Sequence, residues 1–161
     1  MVYGGRRKGR SGTKKVDSGE TTIKGKGAQG TAGRRGLKVT GTVVTGLGES
    51  GSFLAIPWVK NQLKKALGFS PYCGTLNIDV HDPKIQKALK RSCEKRILPE
   101  EEGFCDALVC GGTIAGGLSC GVILPLVPHY SETILELVAP VHLKEALSID
   151  DGDEIEVELF P

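Results

Sequence analysis

Apolar and polar residues alternate most clearly near the end of the chain, where Glu154, Glu156 and Glu158 interleave with Ile155, Val157 and Leu159. That period of two predicts a strand with its glutamates outward. Leu37–Thr45 is rich in β-branched residues and predicts a first strand. The glycine-rich loop Gly46–Gly51 follows, and the apolar run Ser52–Ile56 predicts a second strand. Pro57 then opens a helix to Leu67, with Val59, Leu63, Ala66 and Leu67 at helical spacing and Gly68 as its cap. Thr75–Val80, Phe104–Cys110 and Leu118–Leu126 predict further strands. Thr133–Ala139 predicts another, with Ile134, Glu136 and Val138 on one face. Short helices are expected over Pro83–Arg91 and Pro140–Leu147, and a tight turn over Asp150-Asp151-Gly152-Asp153. Six or seven short strands without regular crossover helices favour a mainly β fold, a small barrel with short helices, over a βαβ sheet.

The charge pattern divides the chain. Residues 1–36 hold ten glycines, ten Lys/Arg and two acids, a formal charge of +8, whereas residues 37–161 carry −6. The first segment has too few large apolar groups to offset the entropy of ordering it and is expected to be a disordered basic tail. It serves either as an extension for solubility or as a weak, sequence-blind nucleic-acid arm. Elsewhere an acidic surface argues against nucleic-acid binding. Residues 37–161 form one domain. No apolar run reaches membrane-spanning length. Five cysteines without a C-x-x-C pair or zinc spacing suggest a reducing, cytoplasmic setting, with Cys105, Cys110 and Cys120 as small core residues.

Four constellations could carry chemistry. In Gly46–Gly51 the glycines allow backbone N–H groups close to a phosphate, yet no Gly-Lys-Ser/Thr ending follows, and a hairpin turn has the same composition. Thr75 and Asn77, two apart on a strand, put a hydroxyl and an amide carbonyl on one face, where a hard cation could sit if a polyphosphate supplied charge. Glu136 is a carboxylate within an apolar strand, either facing solvent or acting as acceptor or base. Val141-His142-Leu143-Lys144, after Pro140, offers a helix start and a cation.

In sequence order, these stretches resemble the archaeal CTP-dependent riboflavin kinases. The resemblance is carried by Gly41-Thr42-Val43-Val44-Thr45-Gly46-Leu47-Gly48-Glu49 and by Leu67-Gly68-Phe69-Ser70-Pro71-Tyr72-Cys73-Gly74-Thr75-Leu76-Asn77. Leu135-Glu136-Leu137-Val138-Ala139-Pro140, Leu143 and Asp151-Gly152-Asp153 complete it. The resemblance implies a six-stranded cradle-loop, riboflavin-synthase-like barrel that moves the γ-phosphoryl group of CTP to the 5′-hydroxyl of riboflavin, giving CDP and FMN.

Carried over by motif, Leu47, Gly48, Glu49, Ser50, Gly51, Ser52, Val141, His142, Leu143 and Lys144 are expected to bind nucleotide. By the same route Thr75 and Asn77 would hold Mg2+. Glu136 would contact the flavin and is the candidate catalytic residue. The sequence departs from the family at Ser50, where glycine is common, at Val59, where an aromatic is usual, and at Lys144, where arginine is typical. It also departs at Pro128, where a flavin-contacting threonine is usual; Ser131 or Tyr130 could supply a hydroxyl there. A monomer is expected. The alternative to a kinase is a flavin- or nucleotide-binding barrel that has lost catalysis.

Overall fold

A computed structural model describes residues 35–46 and 48–161. The 1–36 tail lies almost wholly outside the described residues, and so does Leu47. The element order is β1 (Leu37–Val44), α1 (Ser50–Ala55), α2 (Pro57–Leu67), β2 (Leu76–Asp79), α3 (Pro83–Ser92) and β3 (Lys95–Ile97). It continues with β4 (Ala107–Ile114), β5 (Leu118–Pro125), β6 (Ile134–Val138), α4 (Leu143–Leu147) and β7 (Glu154–Phe160).

Six strands close on themselves in the order β4-β5-β6-β2-β1-β7, every pairing antiparallel, and β7 returns to β4. This is the barrel that the alternation predicted. The short β3 was not foreseen. It pairs with Ala107–Val109 of β4, while β7 pairs with Gly111–Ile114, so the two share one edge of β4 in succession. A glycine pair was expected to end β4 at Cys110, but the strand runs on through Gly111 and Gly112. Any Cβ at Gly112 would collide with the Glu158 carbonyl oxygen of β7. Glycine here permits close approach at the barrel seam rather than a turn.

The period-two pattern sorts residues to the two faces of the barrel wall. Val39, Val43, Ile78, Val122, Leu124, Leu135, Leu137 and Leu159 fill the interior. On the outer face, Val109, Ile123 and Val138 are covered by Leu54 of α1 and by Val59 and Leu63 of α2. Leu54 and Leu63 are fully buried, and burying a leucine contributes roughly 1.5–3 kcal/mol.

The Ser52–Ile56 strand is a correction. Residues 50–55 form α1, because a short apolar run fits a buried strand or a buried helix equally well. Leu54 needs only one covered face, and the sheet wall supplies it. Ile56, held extended before Pro57 (φ −64°, ψ 126°), separates α1 from α2. The loop Gly46–Gly51 therefore leads into a helix and is no hairpin turn. The last helix is also shorter than expected: the chain bends at Pro140 and Val141, His142 is extended as the N-cap, and α4 begins at Leu143.

Candidate functional site

The helical cover stops short of β1, β2 and the first half of β6, leaving their outer faces open. One cross-strand row runs over that opening. Val44 of β1 stands opposite Asn77 of β2, Asn77 opposite Glu136 of β6, and Glu136 opposite Ile123 of β5. Residues paired across antiparallel strands share a face. Val44, Asn77 and Glu136 of this row floor a cavity of about 440 Å3, walled by Gly46, Gly48, Glu49 and Ser50 on one side and by His129, Tyr130 and Ser131 on the other, while Ile123 lies under the helical cover.

Thr75 and Asn77 are brought together there. The Thr75 hydroxyl donates to Ser50 Oγ at 3.0 Å, tying the start of β2 to the start of α1. Asn77 lies so close to Gly46 that a Cβ at Gly46 would collide with the amide nitrogen, which accounts for glycine at that position. The other end of the same amide, Asn77 Oδ1, is buried without a hydrogen-bond partner. A buried oxygen acceptor left open is costly unless something outside the protein meets it. Among the described residues no cluster of three or more His, Cys, Asp or Glu could hold a metal. A cation at this point would rest on neutral oxygens and draw its negative partners from a ligand, which suits Mg2+ beside a polyphosphate.

Glu136 faces this cavity, not bulk solvent. Burial pushes its carboxyl above the usual carboxylate range, and a hydrogen bond with Tyr130 works in the opposite direction. Burial and the neighbouring Glu136 charge push the Tyr130 phenol up in turn. The loop carrying Tyr130 and Ser131 is fixed from below by Gln86 of α3, which is 2% exposed. Its side-chain amide donates to the carbonyls of Ser131 (2.8 Å) and Ile134 (2.9 Å). Pro128 is exposed and outside the cavity wall, so the hydroxyls on this side come from Tyr130 and Ser131.

Val141, His142, Leu143 and Lys144 line a second cavity of about 240 Å3 with Tyr72, Cys73, Gly74, Thr75 and Leu76. The Tyr72 and His142 rings meet edge to face at 5.1 Å. The segment before β2 is held there by the Tyr72 N–H, which donates to the Ala139 carbonyl at 2.8 Å. His142 Nδ1 accepts from the Glu145 N–H at 3.4 Å and caps α4. Thr75 belongs to both cavities, which therefore meet at the candidate cation site. Gly51 and Ser52 lie within α1 and line neither cavity.

Lys144 is not an isolated cation. Its Nζ lies 2.7 Å from Asp151 Oδ1, and the Thr45 hydroxyl donates to Asp151 Oδ2. The Lys144 and then the Thr45 hydrogen bonds hold the Asp151 carboxyl below its ordinary range. Tyr72, Thr45 and Asp151 were not among the expected site residues. Asp-Gly in a turn is so common that Asp151 gave no chemical signal. Tyr130 was weighed only as a replacement hydroxyl.

Among known proteins, residues 43–159 match the family model CTP-dep_RFKase, described as domain of unknown function DUF120. A riboflavin kinase of Methanoculleus marisnigri is 36% identical over 132 residues, 78% of this chain and 59% of the relative. One from Methanobrevibacter smithii is 35% identical over 125 residues, 76% of this chain and 99% of the relative. One from Sulfurisphaera tokodaii is 33% identical over 130 residues, 77% of this chain and 96% of the relative. The chain thus spans under two thirds of the first of these relatives and nearly all of the other two.

Proposed function

The chain belongs to the CTP-dependent riboflavin kinase family, and on that premise we propose that it transfers the γ-phosphoryl group of CTP to the 5′-hydroxyl of riboflavin. The observation that carries this reading is the meeting of two cavities at Thr75, beside the unpartnered Asn77 oxygen. A nucleotide in the smaller cavity, with its base toward Tyr72 and His142 and its inner phosphates beside Lys144, would present its γ-phosphate at Thr75. The acceptor polyol would lie in the larger cavity, over Asn77 and Glu136. Donor and acceptor would then share one boundary, as in-line transfer requires.

Phosphoryl transfer is mostly positioning and neutralisation of charge. The bond from the γ-phosphorus to its bridging oxygen breaks, a bond from the ribityl 5′-oxygen forms, and the hydroxyl proton leaves, giving CDP and FMN. Thr75 and Asn77 would hold Mg2+, which when bound supplies positive charge against the triphosphate. Backbone N–H groups of the 48–50 segment would face the transferred group, and Lys144 would face the remaining phosphates. Glu136, with its raised affinity for protons, would accept a hydrogen bond from the ribityl chain and take up the departing proton. The hydroxyls of Tyr130 and Ser131 would contact the flavin side of the acceptor.

The test is incubation of the full chain with riboflavin, Mg2+ and each of CTP, ATP, GTP and UTP, with FMN measured by chromatography. FMN should form, with CTP preferred. Folded protein giving no FMN with any nucleotide would sink the proposal. Riboflavin and nucleotide binding without turnover would point to a barrel that keeps its ligands and has lost catalysis.

A further inference from the structure

Asp151 lines neither cavity but bonds to a wall residue of each. The turn that carries it is fastened to β1 by backbone. The Gly152 N–H donates to the Val43 carbonyl and the Val43 N–H to the Asp153 carbonyl, both at 2.8 Å. The Asp150 N–H also donates to Asp153 Oδ2 at 2.8 Å, closing the turn on itself. The carboxylate is therefore held by a rigid frame. One oxygen takes the ammonium of Lys144, a wall residue of the smaller cavity. The other takes the hydroxyl proton of Thr45, a wall residue of the larger cavity.

From this geometry we infer that Asp151 is a positioning residue that couples the two cavities, so that phosphate in the smaller one strengthens binding of a polyol in the larger one. The inference rests on the phosphotransferase reading for the identity of both ligands. A hydroxyl has one proton to give. With that proton committed to Asp151, Thr45 presents only lone pairs to the cavity and can serve only as acceptor for a ligand hydroxyl. An anionic phosphate in the smaller cavity competes with Asp151 for the Lys144 ammonium. As Lys144 turns to the phosphate, the carboxylate loses its cation and becomes a stronger acceptor for the Thr45 proton. The acceptor role of Thr45 is then fixed more firmly, and a hydroxyl-rich ligand gains from it. Coupling of this kind is reciprocal by linkage.

The experiment is titration of riboflavin onto the full chain by flavin fluorescence, with and without saturating Mg2+ and CDP, which binds without turnover. In the wild type, CDP should tighten riboflavin binding at least ~5-fold, the lower end of the range usual for coupled sites. Asp151→Asn and Thr45→Val should each bring that ratio to about one, because a reduced charge or a missing hydroxyl proton breaks the link. Asp151→Glu should restore part of it. A merely structural Asp151 would lower thermal stability and weaken both ligands while leaving the ratio intact, and that result overturns the inference. So does a wild-type ratio of one with both ligands bound. If the wild type binds neither ligand, the phosphotransferase reading fails and the coupling fails with it. Thr45→Val keeps the test available if the turn variants do not fold.

Discussion

A single amide oxygen, Asn77 Oδ1, shows how a site can be stored in a stable fold. It is buried and unpartnered, so the protein carries an unmet acceptor at the point where the two cavities meet. An unsatisfied buried polar group costs ~1–3 kcal/mol, whereas an apolar group of similar shape is close to neutral. Asn77→Leu is therefore expected to raise the melting temperature, by an amount equivalent to about 1 kcal/mol, while abolishing FMN formation. A lowered melting temperature would show that the oxygen is satisfied in solution. Thr75→Ala and Asn77→Ala should each cut kcat roughly 100-fold or more and raise the Mg2+ concentration needed for half-maximal rate. Unchanged Mg2+ dependence in both would remove the pair from the metal site. Glu136 gives a pH signature. Its carboxyl binds a proton more tightly in the folded chain than in the unfolded one, so protonation favours folding and that contribution is lost as pH rises through the folded value. Glu136→Gln should melt like the wild type in acid below the ordinary carboxylate range and above it at higher pH, with the gap widening upward. Melting curves at several pH values check this, and a constant gap would contradict it. Thr75 and Asn77 were legible as a pair two residues apart and Glu136 as a carboxylate in an apolar strand, with their roles implied by the family resemblance, whereas the register that sets Asn77 beside Glu136 is a tertiary feature. The Asp151 bridge was not legible either, since it depends on a turn and a strand end more than a hundred positions apart.

Elements decide what reaches the cavity. The strands with alternating residues were readable, because period two leaves little choice of face. Segments with mixed or short patterns were not: α1 looked like a strand, and β4 seemed to end at its glycines. Both misreadings have tertiary causes, the sheet wall beneath Leu54 and the approach of β7 to Gly112. Gly112→Ala is expected to destabilise the fold by ~1–3 kcal/mol, as overpacking does, read as a shift in the denaturation midpoint. A neutral outcome would mean that the seam has slack. At the loop before α1, the cost should be functional. Gly46→Ala would displace the Asn77 amide, so activity should fall by far more than thermal stability does, and equal losses would assign Gly46 to folding alone.

At the scale of the whole molecule, charge and closure act separately. Removing residues 1–36 changes the formal charge from +2 to −6. Any binding of the full chain to nucleic acid should then disappear, and before removal it should weaken steeply with salt. Retention of such binding by the truncated chain would place it on the barrel instead. Among the described residues no helix is long and apolar enough to cross a membrane, and all five cysteines are free. Closure depends on β7, which pairs along β1 from Leu37↔Leu159 to Thr42↔Glu154 and also seals the far half of β4. On a ribosome, β1 emerges before the other barrel strands and, although β2 follows soon, must wait for almost the whole remaining chain before β7 appears. Until then the unpaired edges of β1 and β4 are open to other nascent chains, as exposed strand edges are. Pairing over such sequence distances also folds slowly, in about milliseconds to seconds. The strand that seals the barrel thus makes yield in a cell sensitive to translation speed and to chaperone supply, independently of how stable the finished barrel is.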